Sequence, residues 1–404
     1  MPMIFVWITP KWPFPVEDGA RQATTQLLKH LALLGADIHL CSIIPQAESP
    51  DFAQAVHELG VRTVHAVRRA KSGKWSHLKN FVLHPNIPVT IAPYASEAVS
   101  RGVKAFVESH PDAIIVYDGL HAAGWTVNAG ISRRASVYRA HNVERDIWVR
   151  AAKEASNPAM RAFLAYQSVL MAAFEKKICA SCRAVFPVSS VDADIFKTMV
   201  KGPGIIPLPI GIAPQTEVKP AEFIQGGPRR LLFVGRLDWP PNRDGLRWLL
   251  ENVWPKAMQR APDLELTIVG SGEGEWLKPY VQLPGIRCLG RVESVAPYYA
   301  QSLASIVPIF FGSGTRVKAI ESSLHYRPCI STATGVEGIG LESGVHYFQA
   351  ETEAEWTEVL ASFRPEQARE FGLRAFELAR ANFDPRGIAQ KFLATAQHLC
   401  IDSQ

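Results

Sequence analysis

The sequence predicts an α/β protein of two Rossmann-like, doubly wound parallel-sheet domains facing each other across a cleft. Three observations carry this. At 404 residues the chain exceeds one ordinary core and suits two domains of about 200 residues. Short apolar runs alternate with helix-period segments in both halves, the pattern of βαβ units. A proline- and glycine-rich stretch, Gly202-Pro-Gly-Ile-Ile-Pro-Leu-Pro-Ile-Gly211, continuing to Gly226-Gly-Pro228, separates the two series and reads as a linker. The expected division is a first domain over 1–205, a linker over 206–228, a second domain over 229–385 and a closing helix over 386–404.

In the first half, strands are expected over 3–8, 37–44, 62–67, 113–117, 136–140 and 184–188. Between the first two, Leu27, Leu28, Leu31 and Leu34 follow helical spacing over 19–34 before Gly35 ends the run. Residues 150–177 form one long helix, or two broken at Asn157-Pro158. In the second half, strands are expected over 231–234, 264–269, 286–289, 305–309 and 329–331, with helices over 244–260, 318–325 and 385–401. Ligands of such sheets bind beyond the carboxyl ends of the strands.

Composition narrows the function. Hydrophobic content of 47% and charged content of 20% are those of a soluble globular protein. A net charge of +5, spread along the chain, does not imply nucleic-acid binding. No apolar run approaches the roughly 18 residues of a membrane span. Met-Pro-Met-Ile-Phe-Val-Trp-Ile opens the chain as a first strand, not a signal peptide. Six scattered cysteines, with only Cys179 and Cys182 close together, fit a reduced cytosolic protein without a zinc site.

The most informative segment is Pro308-Ile-Phe-Phe-Gly-Ser-Gly-Thr-Arg-Val-Lys-Ala-Ile-Glu321. An apolar run enters a glycine-rich turn and then a new helix, whose N-terminus attracts phosphate. Arg316 and Lys318 add charge-assisted bonds to the same anion, and Glu321, about one turn further, suits a vicinal diol. Together these describe the ribose–diphosphate end of a nucleotide. Gly270-Ser-Gly-Glu-Gly274 suggests a dinucleotide loop, but Glu275 stands where the third glycine of that motif belongs, which disfavours a hydride-transferring enzyme.

With Arg229-Arg-Leu-Leu-Phe-Val-Gly-Arg-Leu-Asp238, Leu266-Thr-Ile-Val-Gly-Ser-Gly272 and the stretch from His325 to Gly338, this segment resembles the C-terminal domain of the retaining glycosyltransferases of family 4, of GT-B fold. The resemblance implies a nucleotide-diphosphate sugar donor, a glycan or lipid-linked acceptor in polysaccharide or lipid-linked glycan biosynthesis, and no metal or other cofactor. Arg236 and Lys318 would hold the diphosphate with Ser313, Gly314, Thr315 and Arg316, and Glu321 the ribose. Gly235, Gly270 and Gly272 would allow close approach of the nucleotide, and Arg291 and Val292 would line the base pocket. The family's usual lysine after Arg236 is missing, leaving Arg243 or Lys318 for that role, with Lys318 preferred. Its first glutamate is replaced by Ser313, so sugar recognition would fall to backbone groups or Ser313.

In the first half, Ser136-Val-Tyr-Arg-Ala-His-Asn-Val-Glu144 resembles the family motif whose histidine contacts the donor sugar, which assigns that role to His141 and leaves Glu144 open. Gly19 would admit the donor phosphate or the acceptor hydroxyl, and Asp18 reads as an N-cap. Asp118 ends an apolar strand and would face the acceptor. Five basic residues between Val67 and Phe81, with Trp75, suit either a solvated loop or peripheral contact with an anionic membrane at its inner face. Competing functions are a GT-B-like epimerase or phosphorylase and a non-catalytic nucleotide-sugar-binding subunit, the last motivated by Ser313.

Overall fold

The computed structural model describes residues 2–16, 19–70, 84–131, 135–213, 227–272, 274–312 and 315–401. Asp18, Ser313, Gly314 and most of the basic segment 68–79 lie outside them. The chain divides into two compact units, Met1–Gly211 with Pro385–Gln404, and Ile212–Asp384.

The first unit holds a seven-stranded sheet in the order β3-β2-β1-β4-β5-β6-β7. Its strands are β1 (Ile4–Thr9), β2 (Asp37–Pro45), β3 (Thr63–Arg69), β4 (Ile114–Asp118), β5 (Ser136–Ala140), β6 (Ala184–Pro187) and β7 (Gly204–Ile205). Every pairing is parallel. The inner strands β1, β2, β4, β5 and β6 are buried on both faces, and their side chains alternate between two cores. Val6 and Ile8 enter one with Tyr117 and Tyr138; Phe5 and Trp7 enter the other with Phe186 and Phe392. Phe392 belongs to the closing helix Pro385–Ile401, and its ring lies 5.6 Å from those of Phe5 and Trp7 and 5.0 Å from Phe186. Such a fully buried aromatic is worth about 3–5 kcal/mol against truncation to alanine.

Two local readings are revised. The region read as linker already belongs to the sheet at Gly204–Ile205, and Ile206 and Leu208 continue donating to Val185 and Pro187. Pro207 and Pro209 fit there because a sheet edge needs no further donor. The helix expected from residue 150 begins at Glu144 and runs to Glu154. A second helix, Pro158–Ser181, follows, with Asn157 accepting from the backbone of Ala159 and Met160.

The second unit holds a six-stranded parallel sheet, order β10-β9-β8-β11-β12-β13. Its strands are β8 (Arg229–Val234), β9 (Leu264–Val269), β10 (Ile286–Gly290), β11 (Ala304–Val307), β12 (Cys329–Ser331) and β13 (Phe348–Gln349). Here the helix expected from Asp244 starts at Pro240, because prolines at 240 and 241 are pre-set for a first helical turn. It widens to a π turn over Leu249–Val253, directly before Pro255, which has no N–H to donate.

Cys41, Cys179, Cys182, Cys288 and Cys329 are free thiols. Burial raises the thiols of Cys179 and Cys182, and Cys182 ends a helix beside Ser136, so the pair is structural. Among the described residues no helix is long and apolar enough to cross a membrane, and no cluster of histidine, cysteine and carboxylate side chains is placed to hold a metal ion.

Candidate active site

Each sheet reverses its strand order once, and most of the candidate residues gather at those two points, whereas Arg291 and Val292 follow the edge strand β10. In the first unit the reversal separates β1 from β4, where crevices form beyond the strand ends. A pocket there is lined by Thr9, Pro10, Lys11, Pro13, Ala20, Arg21, Thr24, Asp118 and His141. Gly19 is the first residue of the helix Gly19–Leu33 that borders it.

Asp118, the last residue of β4, is 1% exposed and accepts four hydrogen bonds. Oδ1 receives His141 Nε2 at 2.7 Å and Arg139 Nη1 at 3.2 Å; Oδ2 receives Trp7 Nε1 at 3.0 Å and Thr24 Oγ1 at 2.6 Å. Burial alone would raise this carboxyl's pKa, but His141 and Arg139 outweigh it and hold it well below the usual carboxylate range. Asp118 is thus an ionised hub that fixes His141, and both its oxygens are engaged. The His141 side chain is 13% exposed, and its Nδ1 has no hydrogen-bond partner among the described residues. Sequence reasoning placed Asp118 and His141 at strand ends but missed Arg139, Trp7 and Thr24, which read as ordinary strand and helix residues.

Glu175 was missed entirely. It is fully buried in the helix Pro158–Ser181, and its carboxylate accepts from the backbone N–H groups of Glu144 at 3.0 Å and Arg145 at 3.3 Å. It therefore caps, from a distance in sequence, the helix that follows the His141 loop. Burial pushes Glu175 up to about 7.

In the second unit the reversal lies between β8 and β11. Gly235 and Arg236 follow β8, and the segment after β11 leads to the helix Val317–Leu324, with Arg316 as its N-cap residue. The Lys318 amine donates to Oδ1 of Asn242 and sits 5.0 Å over the Phe233 ring. Asn242 Nδ2 in turn donates to the carbonyl of Arg236 at 2.8 Å. Burial, reinforced by the Arg316 guanidinium, lowers Lys318 to about 7. Burial pushes Glu321 up to about 7, and its carboxylate has no hydrogen-bond partner among the described residues.

Arg316 is 9% exposed and donates to the Gly312 carbonyl at 3.1 Å and to Glu337 Oε2 at 3.0 Å. Thr315 Oγ1 is buried without a partner among the described residues. Arg236 folds back on Asp238 through two hydrogen bonds, 3.0 and 2.6 Å. A Cβ at Gly270 would lie 1.9 Å from the Gly235 carbonyl oxygen, and one at Gly272 would lie 2.4 Å from Asp238 Oδ1. These loops pack so closely that only glycine fits. Arg291 is exposed, and Val292 packs beside Val269, Leu232 and Tyr299. The structure thus brings Gly235, Arg236, Gly270, Gly272 and Lys318 into one group of touching loops, with Arg316 and Glu321 on the segment that carries Lys318. Arg243 instead pairs with Asp244, its own neighbour.

Two such sheets, each with its loops gathered at a switch point, define a GT-B architecture, that of nucleotide-sugar-dependent glycosyltransferases. Residues 228–362 match the family described as glycosyl transferases group 1, and the chain carries a glycosyltransferase domain of that family.

The fold is shared with the HepE protein of Anabaena, solved in complex with UDP and glucose (TM-score 0.65, 13% identity, covering 98% of this chain and 100% of that one). It is shared also with a trehalose 6-phosphate synthase of Burkholderia multivorans (TM-score 0.67, 13% identity, 100% of both chains) and with a TarM mutant of S. aureus solved with UDP (TM-score 0.64, 10% identity, 98% and 99%). In sequence, 168 residues are 26% identical to an uncharacterized 44.6 kDa protein of the cps region of Klebsiella pneumoniae. That match spans 39% of this chain and 43% of the Klebsiella protein, less than half of its length.

Proposed function

We propose that the protein is a retaining glycosyltransferase of family 4 that moves a sugar from a nucleotide-diphosphate sugar to a hydroxyl acceptor. The observation that carries this is the Lys318 amine, buried beside Gly235 at the switch point of the second sheet. A lysine so desolvated gains most from an anion, and the departing nucleoside diphosphate is the anion this reaction creates. Arg316 and Arg236 add positive charge, Arg236 by exchanging Asp238 for phosphate. Glu321, with its carboxylate unengaged, takes the ribose hydroxyls. His141, on the wall of the first-unit pocket, contacts the donor sugar.

Both oxygens of Asp118 are already engaged, which makes it a poor nucleophile. This supports attack of the acceptor on the face the leaving group vacates, with the departing phosphate taking the acceptor proton. The new glycosidic bond then forms as the sugar–phosphate bond breaks, and the configuration is retained. The UDP complexes of HepE and TarM make uridine the first base to test, and the cps-region relative favours an acceptor in polysaccharide biosynthesis. Such an acceptor, if lipid-linked, places the protein in the cytoplasm at the inner face of the membrane.

Calorimetric titration with UDP, GDP, ADP and dTDP without added metal, repeated on Glu321→Ala, tests the donor site. One diphosphate should bind selectively and weaken in the variant. No binding at millimolar concentration, or equal binding to the variant, overturns the reading. Anomeric analysis of the transferred sugar tests retention.

A further inference from the structure

We propose that Asn242 is a positioning residue, which fixes the Lys318 amine above Gly235 and ties it to the backbone that presents Arg236. This rests on the donor-site reading above. Asn242 is 6% exposed and sits on the first turn of the helix Pro240–Trp248. Both ends of its amide are used. Oδ1 accepts from Lys318 Nζ, and Nδ2 donates to the Arg236 carbonyl at 2.8 Å. A Cβ built at Gly235 would lie 2.9 Å from Asn242 Nδ2 and 3.1 Å from Lys318 Nζ, so all three groups meet at one point.

A lysine stem has four rotatable bonds, and a lone amine on it is poorly placed. Here the amide removes that freedom. It joins loops from two different strand ends into one cation-bearing surface. The two prolines at 240 and 241, which set the start of this helix, place Asn242 for the task.

The amide also bears on the amine's charge. The Lys318 amine has the Arg316 guanidinium and the Cys329 thiol within electrostatic range, the Phe233 ring below it, and Asn242 as hydrogen-bond acceptor. Burial and Arg316 disfavour the ammonium; the Asn242 carbonyl favours it. Removing that carbonyl lowers the amine's pKa further, whereas a carboxylate in its place raises it.

The test is competitive labelling of the full-length protein with acetic anhydride across pH 6–10, reading Lys318 acetylation by mass spectrometry. Asn242→Ala should move the Lys318 profile to lower pH and Asn242→Asp to higher pH. UDP titration of Asn242→Ala at pH 7 should show affinity reduced about tenfold, as for loss of one charge-assisted contact. Circular dichroism confirms that each variant is folded. If either misfolds, Asn242→Ser, too short to reach the amine, should shift the profile as alanine does. An unchanged Lys318 profile in folded variants overturns the proposal. If the profile moves while the unaltered protein binds none of the four diphosphates, the positioning role of Asn242 stands and the donor-site reading fails.

Discussion

His141 Nε2 donates a 2.7 Å hydrogen bond to Oδ1 of Asp118, a carboxylate that also accepts from Arg139, Trp7 and Thr24. An ionised carboxylate only accepts, so His141 Nε2 carries a proton, and Nδ1 lies buried without a partner among the described residues. The relationship distinguishes the two residues: Asp118 spends both oxygens within the fold, whereas His141 keeps one ring nitrogen uncommitted among the described residues.

The distinction predicts different losses. Replacing Asp118 by asparagine turns an amide N–H₂ toward groups that are themselves donors and strips the buried Arg139 of its counter-charge. We expect a stability loss of about 3–5 kcal/mol, the usual result of breaking a buried ion pair from one side. His141→Ala, at a partly open site, should cost about 1 kcal/mol while lowering turnover about tenfold or more, as loss of a substrate contact does. Urea denaturation beside initial rates checks this. Equal destabilisation by the two substitutions would make His141 merely structural.

Gly235 and Gly270 separate a binding defect from a folding defect. At Gly270 the obstacle to a Cβ is the backbone oxygen of Gly235, 1.9 Å away, which cannot yield without moving the loop. At Gly235 the obstacles are the ends of Asn242 and Lys318 at 2.9 and 3.1 Å, which can swing aside. Gly270→Ala is expected to destabilise the second unit by about 3 kcal/mol or more. Gly235→Ala should leave thermal stability within about 1 kcal/mol and weaken diphosphate binding through the displaced amine. A Gly235→Ala variant that binds diphosphate like the unaltered protein would contradict this.

The sheets and their order of elements were legible because burial on both faces leaves nearly continuous apolar runs. Residues 136–140, 264–269 and 329–331 begin and end in the structure where the sequence places them. Placements announced by local chemistry were legible too: Gly235 and Arg236 after a strand end, Arg316 and Lys318 at a helix start. Residues whose meaning is set by a distant partner were not. Arg139 sits in a strand pattern, and nothing nearby signals that its guanidinium faces Asp118. Glu175 reads as one more charge on a long helix, yet it caps a helix that begins 31 residues earlier. That omission also explains the misplaced helix start. No local capping residue marks Glu144, because the cap comes from elsewhere.

Glu175 carries a stability prediction with a definite sign. Its carboxyl is pushed up to about 7 by burial, against about 4.3 in an unfolded chain. The folded state therefore binds more protons across pH 4.5–7, and stability falls as pH rises through that window, then levels off. Glu175→Gln keeps an acceptor for Glu144 N–H without the charge. It should flatten this component, gaining about 1–3 kcal/mol over the unaltered protein at pH 8 and little at pH 5. Thermal melts at the two pH values test it. Glu175→Ala should lose both caps and lower turnover through the adjoining His141 loop. A glutamine variant with the same pH dependence as the unaltered protein would show that Glu175 is not the titrating group.

Diphosphate binding should be linked to protons, because the free site holds two groups near 7, Lys318 and Glu321. Their contributions oppose. An anion beside Lys318 favours its ammonium and draws in a proton, whereas ribose hydroxyls donating to Glu321 favour its carboxylate and release one. Near pH 7 the two largely cancel. At pH 8 Glu321 is already mostly ionised and Lys318 mostly neutral, so uptake dominates, approaching about one proton per diphosphate bound. Affinity then declines from pH 7 to pH 9. Calorimetry at pH 8 in HEPES and in Tris, whose ionisation enthalpies differ and neither of which carries a phosphate, measures the uptake directly. Lys318→Met should abolish it and flatten the affinity profile, while Glu321→Gln should preserve it. Uptake that survives Lys318→Met would place the proton elsewhere and remove the principal support for the diphosphate contacting this amine.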